Sequence, residues 1–266
     1  MVVVEGGVHR RPLLRHGWWP LVVSITKREF GTRYRQGALH VAWLVIQPAL
    51  LIAVYSLVFK GILRVGTTDI PYLAFIVTGF VPWRFFSGAL GSIGAISENP
   101  SLISKIYFPR EVIPMANTFV GLPELFVGML IVLCVALAQG FPLSIYFVAL
   151  PLSLVLLVLC SLNLTVVLTA VAVFLRDLNQ GLPVALMIIF FATPIMYPQE
   201  LVPSSLAWLN AVNPLAVAIA GIRAAVLEGQ WPQWGLLALH IAIAAAGVGA
   251  SFAYMRSVEH RMPDIA

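Results

Sequence analysis

Two charged side chains, Arg84 and Glu124, fall deep inside the long apolar runs of this 266-residue chain. Opposite charges set among apolar residues have two uses. They neutralise each other as an ion pair, or one of them meets an ionic ligand in a wet cavity. Glu124 has no second carboxylate within a run, so paired-carboxyl acid and base chemistry is not open to it. The rest of the chain is as poor in reaction chemistry. It contains no G-x-x-x-x-G-K-[ST] phosphate loop, H-E-x-x-H, C-x-x-C or G-x-S-x-G. His9, His16 and His260 lie in the tails, and His40 and His240 near run ends, where isolated histidines are interfacial rather than metal ligands. No catalytic residue, metal site or cofactor is therefore expected in this chain.

The elements that must position Arg84 and Glu124 follow from composition. The chain is 60% hydrophobic and only 10% charged, with a mean hydropathy of +0.95. A soluble domain carries roughly 25% charged residues. Lipid, not a protein core, must solvate the excess. A helix crosses a bilayer with about 20 mostly apolar residues. Six runs qualify: Leu39–Leu63, Pro71–Ile96, Val112–Ala138, Leu143–Leu175, Gly181–Tyr197 and Trp234–Met255. The fourth is overlong and is expected to tilt or kink near Pro151. Cys134 and Cys160 both fall in such runs, so they read as small hydrophobes with no disulfide framework. "MVVVEGGVHRRPLLRHG" has neither the apolar core nor the small-residue site of a cleaved signal. The fold class expected is an all-α polytopic membrane protein, forming a single transmembrane domain over residues 1–266.

Residues 200–230 are apolar too, but turn signals at Pro203 and Asn213-Pro214 interrupt them. They read as an external re-entrant helix pair. Basic residues give the orientation. Six crossings put both termini on one side, with Arg10, Arg11, Arg15, Lys27, Arg28, Arg33, Arg35, Lys105, Arg110, Arg176, Arg256 and Arg261. The other side receives only Lys60, Arg64 and Arg223. The excess marks the cytoplasmic side. The net charge of +5 then reports topology and anionic headgroups rather than nucleic acid. In this frame 97–111 and 174–181 are short cytoplasmic links, each read as a short helix under the membrane. The depths of Arg84 and Glu124 also agree. They lie 12 and 13 residues from the inner ends of neighbouring spans, roughly 18–20 Å along their helices at 1.5 Å per residue. A pair between them is one reading; Arg84 facing a pore is the other.

Before the first span, Trp19, Val23, Phe30 and Tyr34 recur at helical spacing within 18–37, opposite Lys27, Arg28 and Arg35. Such a basic amphipathic helix suits the cytoplasmic interface. It reads either as an anchor or as a gate beside an entrance for anionic lipid-linked cargo.

Six patches, in order, resemble the permease subunit of ABC-2 type transporters, in the polysaccharide and teichoic-acid exporter branch. They are "REFGTRYRQGALHVAWLVIQP" (28–48), "GFVPWRFF" (79–86), "NPSLISKIYFPREVIP" (99–114), "FLRDLNQ" (174–180), "TPIMYP" (193–198) and "NPLAVAIAGIRAAVL" (213–227). The resemblance implies a pore made by two copies of the chain, above two copies of a separate ATPase that binds ATP and Mg. It implies a bacterial inner-membrane location. It also implies that 97–110 is the coupling helix, with Glu98, Leu102, Ile103, Lys105, Ile106, Tyr107 and Arg110 meeting the ATPase alongside Arg176 and Asp177. The cargo implied is an O-antigen, galactan or teichoic-acid type glycan on a polyprenyl pyrophosphate. A cationic entrance at Arg28, Arg33, Tyr34 and Arg35 would suit its head. Pore candidates are Trp83, Arg84, Phe85, Phe86, Glu124, Phe190, Phe191 and Tyr197. Trp208, Asn213, Pro214 and Arg223 are expected at an external gate, with Arg223 near the outer headgroups. Arg84 after Trp83 departs from the family's aromatic or apolar continuation. An exporter of small hydrophobic molecules, and a non-transporting scaffold, are the competing classes.

Overall fold

The computed structural model describes residues 18–34, 42–58, 70–96, 109–175, 177–259 and 262. Ten α-helices carry most of these residues: α1 Trp18–Tyr34, α2 Trp43–Ser56, α3 Tyr72–Leu90, α4 Val112–Val120 and α5 Leu122–Ala138, then α6 Leu150–Phe174, α7 Asp177–Ala192, α8 Trp208–Val212, α9 Pro214–Arg223 and α10 Trp234–Val258. No strand occurs among the described residues.

Four stretches are long and apolar enough to cross a bilayer: Tyr72–Ala95, Val112–Ala138, Ile145–Phe174 and Trp234–Val258. α2 and α7 are apolar but shorter, so four of the six predicted crossings meet the criterion among the described residues. α3 is the central element. Of its span 78% is buried, against 22–39% for the other three. α3 packs on α5 and α6, and α6 in turn packs on α4, α9 and α10. The main core joins Phe75, Ile76, Phe80 and Leu90 of α3 to Leu156 and Leu157 of α6 and Ile219 and Ile222 of α9.

Several boundaries differ from the sequence reading. α7 begins at Asp177, so 177–180 form its first turn and no separate surface helix lies there. Asp177 is exposed in that turn, where a negative charge suits the amino-terminal end of the helix dipole. The same helix stops at Ala192 instead of running to Tyr197. Thr193 precedes Pro194, and proline disfavours helical geometry in the residue before it. Pro151 does not kink the fourth run. It occupies the first turn of α6, where its missing N–H costs nothing, after a 3₁₀ turn at Ile145–Ala149. The third run is divided at Gly121, with Pro123 opening α5.

α1 is helical over Trp18–Tyr34. Val22 is fully buried against α4, flanked by Trp18, Leu21 and Ile25. Trp19 is half exposed and touches Phe119 of α4 edge-on at 5.8 Å. The aliphatic stripe therefore meets protein. In a membrane the aromatic stripe need not be hidden, because lipid solvates it. Cys160 is buried in α6 and Cys134 is exposed on α5, both as free thiols.

Candidate functional site

Two glycines bring α5 against α3. A methyl group on Gly121 would meet the Phe85 ring at 3.1 Å, and one on Gly128 would meet Val81 Cγ1 at 2.5 Å. Gly121 meets Phe85 and, two turns further on, Gly128 meets Val81, so the two contacts run in opposite chain directions along one seam. Small residues at such a seam let helix backbones approach closely. Arg84 and Glu124 sit between the two contacts, and Arg84 Nη2 donates to Glu124 Oε1 at 2.9 Å. The same nitrogen reaches Gln47 Oε1 of α2 at 3.3 Å. One guanidinium thus ties three helices at one level. A lone charge at membrane depth costs at least about 2.5–3.5 kcal/mol, and pairing removes most of that cost. The side chains keep 29% and 21% exposure, so the pair lies at the edge of the core rather than inside it.

Arg223 is handled differently. The sequence places it near outer headgroups; the structure buries it, at 5% exposure. Its guanidinium donates to the carbonyls of Pro194 (2.6 Å) and Ile195 (2.8 Å), with longer contacts to Thr78 Oγ1 and the Phe75 carbonyl, both 3.4 Å. It also lies over the Phe75 ring, 3.7 Å from the centroid. Thr193-Pro194 ends α7 and leaves carbonyls without helical donors, and the guanidinium fork supplies them. Gly79 makes room: a Cβ there would stand 2.8 Å from Arg223 Nη2 and 2.9 Å from the Ile195 carbonyl. Two neighbouring bonds complete the knot. Asn213 Nδ2 donates to Thr193 Oγ1 at 2.8 Å, and Tyr72 OH donates to the Met196 carbonyl at 3.0 Å.

Asn213 also caps α9. Its Oδ1 accepts from the Leu215 and Ala216 amides, and Pro214 takes the first helical position. α8 and the helix from Pro214 to Glu228 are bent by 91° at this joint. The turn expected at Asn213-Pro214 is thus present, and Trp208 is exposed on its outer arm.

At the other end of the bundle, Glu111 at the start of α4 accepts from Arg256 Nε of α10 at 2.9 Å. Arg110 faces Glu259 at 4.0 Å and is only 5% exposed. Its expected partner contact thus falls on a side chain that the chain itself largely covers. Glu98, Leu102, Ile103, Lys105, Ile106, Tyr107, Arg176 and Arg35 lie outside the described residues, as do the side chains of Arg33 and Tyr34. Arg28 is exposed, with only a loose 3.9 Å approach to Glu29, so its charge is available to other groups.

The aromatic pore candidates divide. Trp83, Phe85 and Phe86 are buried in the subunit's own core, because α3 is enclosed on nearly every side. They do not line a surface. Phe190 packs on Trp83 at 5.1 Å, Phe191 is exposed, and the Tyr197 hydroxyl donates to the Phe191 carbonyl at 2.6 Å. Sequence reasoning missed Gln47, the Arg223 knot and the Glu111–Arg256 clasp. Their partners are backbone carbonyls or side chains 37 to 145 positions away, and neither leaves a local pattern.

Comparison with known proteins agrees with this architecture. The ABC-2 type transporter family pattern matches residues 20–227. An O-antigen export system permease protein RfbA of Klebsiella pneumoniae is 30% identical over 211 residues, which is 79% of this chain and 81% of that protein. The protein of the same name from Myxococcus xanthus is 29% identical over 249 residues, 92% and 94% of the two chains. The polysialic acid transport protein KpsM of Escherichia coli is 26% identical over 214 residues, 78% and 81% respectively.

Proposed function

Because the chain belongs to the ABC-2 type transporter family, we propose that it is the inner-membrane permease of a polysaccharide exporter, moving a polyprenyl-pyrophosphate-linked glycan out of the cytoplasm. One observation carries this reading. The similar proteins, matched over most of their length, are named for O-antigen export and polysialic acid transport, so a glycan is favoured over a small hydrophobic molecule.

Its parts have distinct tasks. A separate ATPase binds ATP and Mg, since this chain has no phosphate loop. Residues 97–108 seat in that partner, with Leu102, Ile103, Ile106 and Tyr107 as apolar knobs in an otherwise polar segment. The clasp from Glu111 to Arg256 begins immediately after this segment, so a push on it is passed to both α4 and α10. Arg28, Arg33 and Arg35 attract the anionic lipid head, each basic group near the surface contributing about 1 kcal/mol. Both termini face the cytoplasm, and the bent α8–α9 pair closes the outer end. A second copy completes the pore. α7 supports that assembly: Val184, Met187, Ile188 and Phe191 form an exposed apolar stripe, and Leu182 alone of its residues is buried.

The test is a deletion of this chain in its host. Surface polysaccharide should disappear and lipid-linked glycan accumulate inside, with both restored by the wild-type chain. The double variant Ile106→Asp, Tyr107→Asp should insert normally and fail to export, because it buries unpaired charge in the interface. Unchanged surface glycan in the deletion strain would end this reading.

A further inference from the structure

A cavity of about 380 Å³ opens between α8, α9 and the first turns of α10, within the roughly 300–1,000 Å³ range of small-molecule sites. Two backbone turns hold it open. Asn213 sets the 91° bend between α8 and α9. Gly229, at φ +58° and ψ +42°, ends the π-helical turn 224–228 in the left-handed region and sends 230–234 back across the mouth. The Gln230 amide closes this turn on the Ala224 carbonyl at 3.0 Å. The floor consists of small residues of α9.

The rim is unlike the rest of the molecule. Side-chain amides of Gln199, Asn210, Gln230 and Gln233 converge there with the Glu228 carboxylate and the Trp231 ring. None of these five polar side chains forms a hydrogen bond or ion pair with another described residue. Trp231 is fixed by an edge-on contact with Tyr146 at 5.0 Å and by Trp234 at 5.6 Å, yet it keeps 46% exposure. Each amide offers both donors and acceptors, which is what neighbouring hydroxyls need. A held aromatic face offers contact to the apolar side of a ring. The one charged side chain in the lining is Glu228, backed from the interior by the buried Arg223, so a hydroxyl finds an acceptor at the rim and an anion meets a carboxylate first.

We infer that this cavity is a binding site for a neutral sugar unit of the exported glycan, and that it discriminates against acidic sugars and against the pyrophosphate head. The inference rests on the polysaccharide-export reading and names which part of that cargo meets the external cap. Glu228 is the discriminating residue and Trp231 the platform.

Binding is measured on the intact transporter in nanodiscs, without turnover, by saturation-transfer NMR. The probes are neutral trisaccharides of mannose, galactose and rhamnose, oligosialic acid, and glycerol phosphate as a lipid-headgroup control. At least one neutral trisaccharide should bind and the two anions should not. Trp231→Ala should weaken that binding about tenfold, the loss of one aromatic contact. Gln233→Leu serves the same end should Trp231→Ala lower the melting temperature. Glu228→Gln should admit oligosialic acid. Saccharide binding that survives both Trp231→Ala and Gln233→Leu overturns the site, as does preference for glycerol phosphate or for oligosialic acid in the wild type. No binding by a transporter that still exports polysaccharide in cells overturns the site and leaves the export function standing. Normal surface polysaccharide after deletion of the chain overturns the export function itself.

Discussion

Arg84 and Arg223 are both guanidinium groups held inside apolar helices, and they are neutralised by different means. Arg84 has a carboxylate partner at 2.9 Å; Arg223 has carbonyls and an aromatic face. Arg84→Glu or Glu124→Arg alone places two like charges together on the α3–α5 seam. Each should lower folded yield and melting temperature in detergent, and the double swap should recover most of the loss. Failure of the rescue would assign Arg84 to a ligand instead. For Arg223, lysine is not an equivalent, because a point charge cannot span two adjacent carbonyls as the planar fork does. Arg223→Met should leave the Pro194 and Ile195 carbonyls without donors, at about 1–3 kcal/mol each, seen as a drop in melting temperature. A methionine variant as stable as the wild type would show that the knot adds nothing. The Arg84 pair was half legible in the sequence, since matching depth in neighbouring helices allows a pair but equally allows an arginine that faces a pore. The Arg223 knot was not, because backbone acceptors released by Thr193-Pro194 carry no sequence signature of their own.

Helices meet where side chains are missing as much as where they are present. α3 and α5 approach at Gly121 and Gly128, and this seam fixes the level at which Glu124 reaches Arg84. Val81 is β-branched and stiff, so the 2.5 Å approach to a Cβ on Gly128 cannot be relieved by rotation alone. Gly128→Ala should cost about 1–3 kcal/mol by overpacking. Val81→Ala in the same chain should return much of it by vacating the space. Purified variants compared by thermal melting decide the matter, and additive losses would show the two residues to be uncoupled. Length and hydropathy revealed that these helices exist. Their ends were harder to read, because helix initiation at Asp177 and termination at Ala192 depend on single residues inside a nearly uniform apolar background. Which face of α1 meets protein was equally hard to read. In lipid, an aromatic stripe and an aliphatic stripe are both apolar, and periodicity does not say which one meets protein.

The proposed orientation is a property of the whole chain, resting on twelve basic residues on one side of the six expected crossings and three on the other. Arg223 of the three and Arg110 of the twelve are both buried, and the excess persists when both are set aside. The architecture turns this into a labelling experiment. Ser205 precedes α8 and Glu228, which lines the cavity, ends the turn after α9; both are exposed, and Ser257 is exposed at the far end of α10. Cys134 and Cys160 are first replaced by alanine, since Cys134 is exposed and would add background. Single cysteines at 205 and 228 should then react with an impermeant thiol reagent applied to whole cells, and one at 257 only after the membrane is opened. The bent pair makes the prediction sharper than a hydropathy plot does. If Ser204–Glu228 were one full crossing, its two ends would lie on opposite sides and only one of the two cysteines would react. Reaction at both from outside fits a pair that enters and leaves by the same face. Reaction at one only, or at 257 in intact cells, would overturn the orientation and with it the outward-facing place of the sugar site.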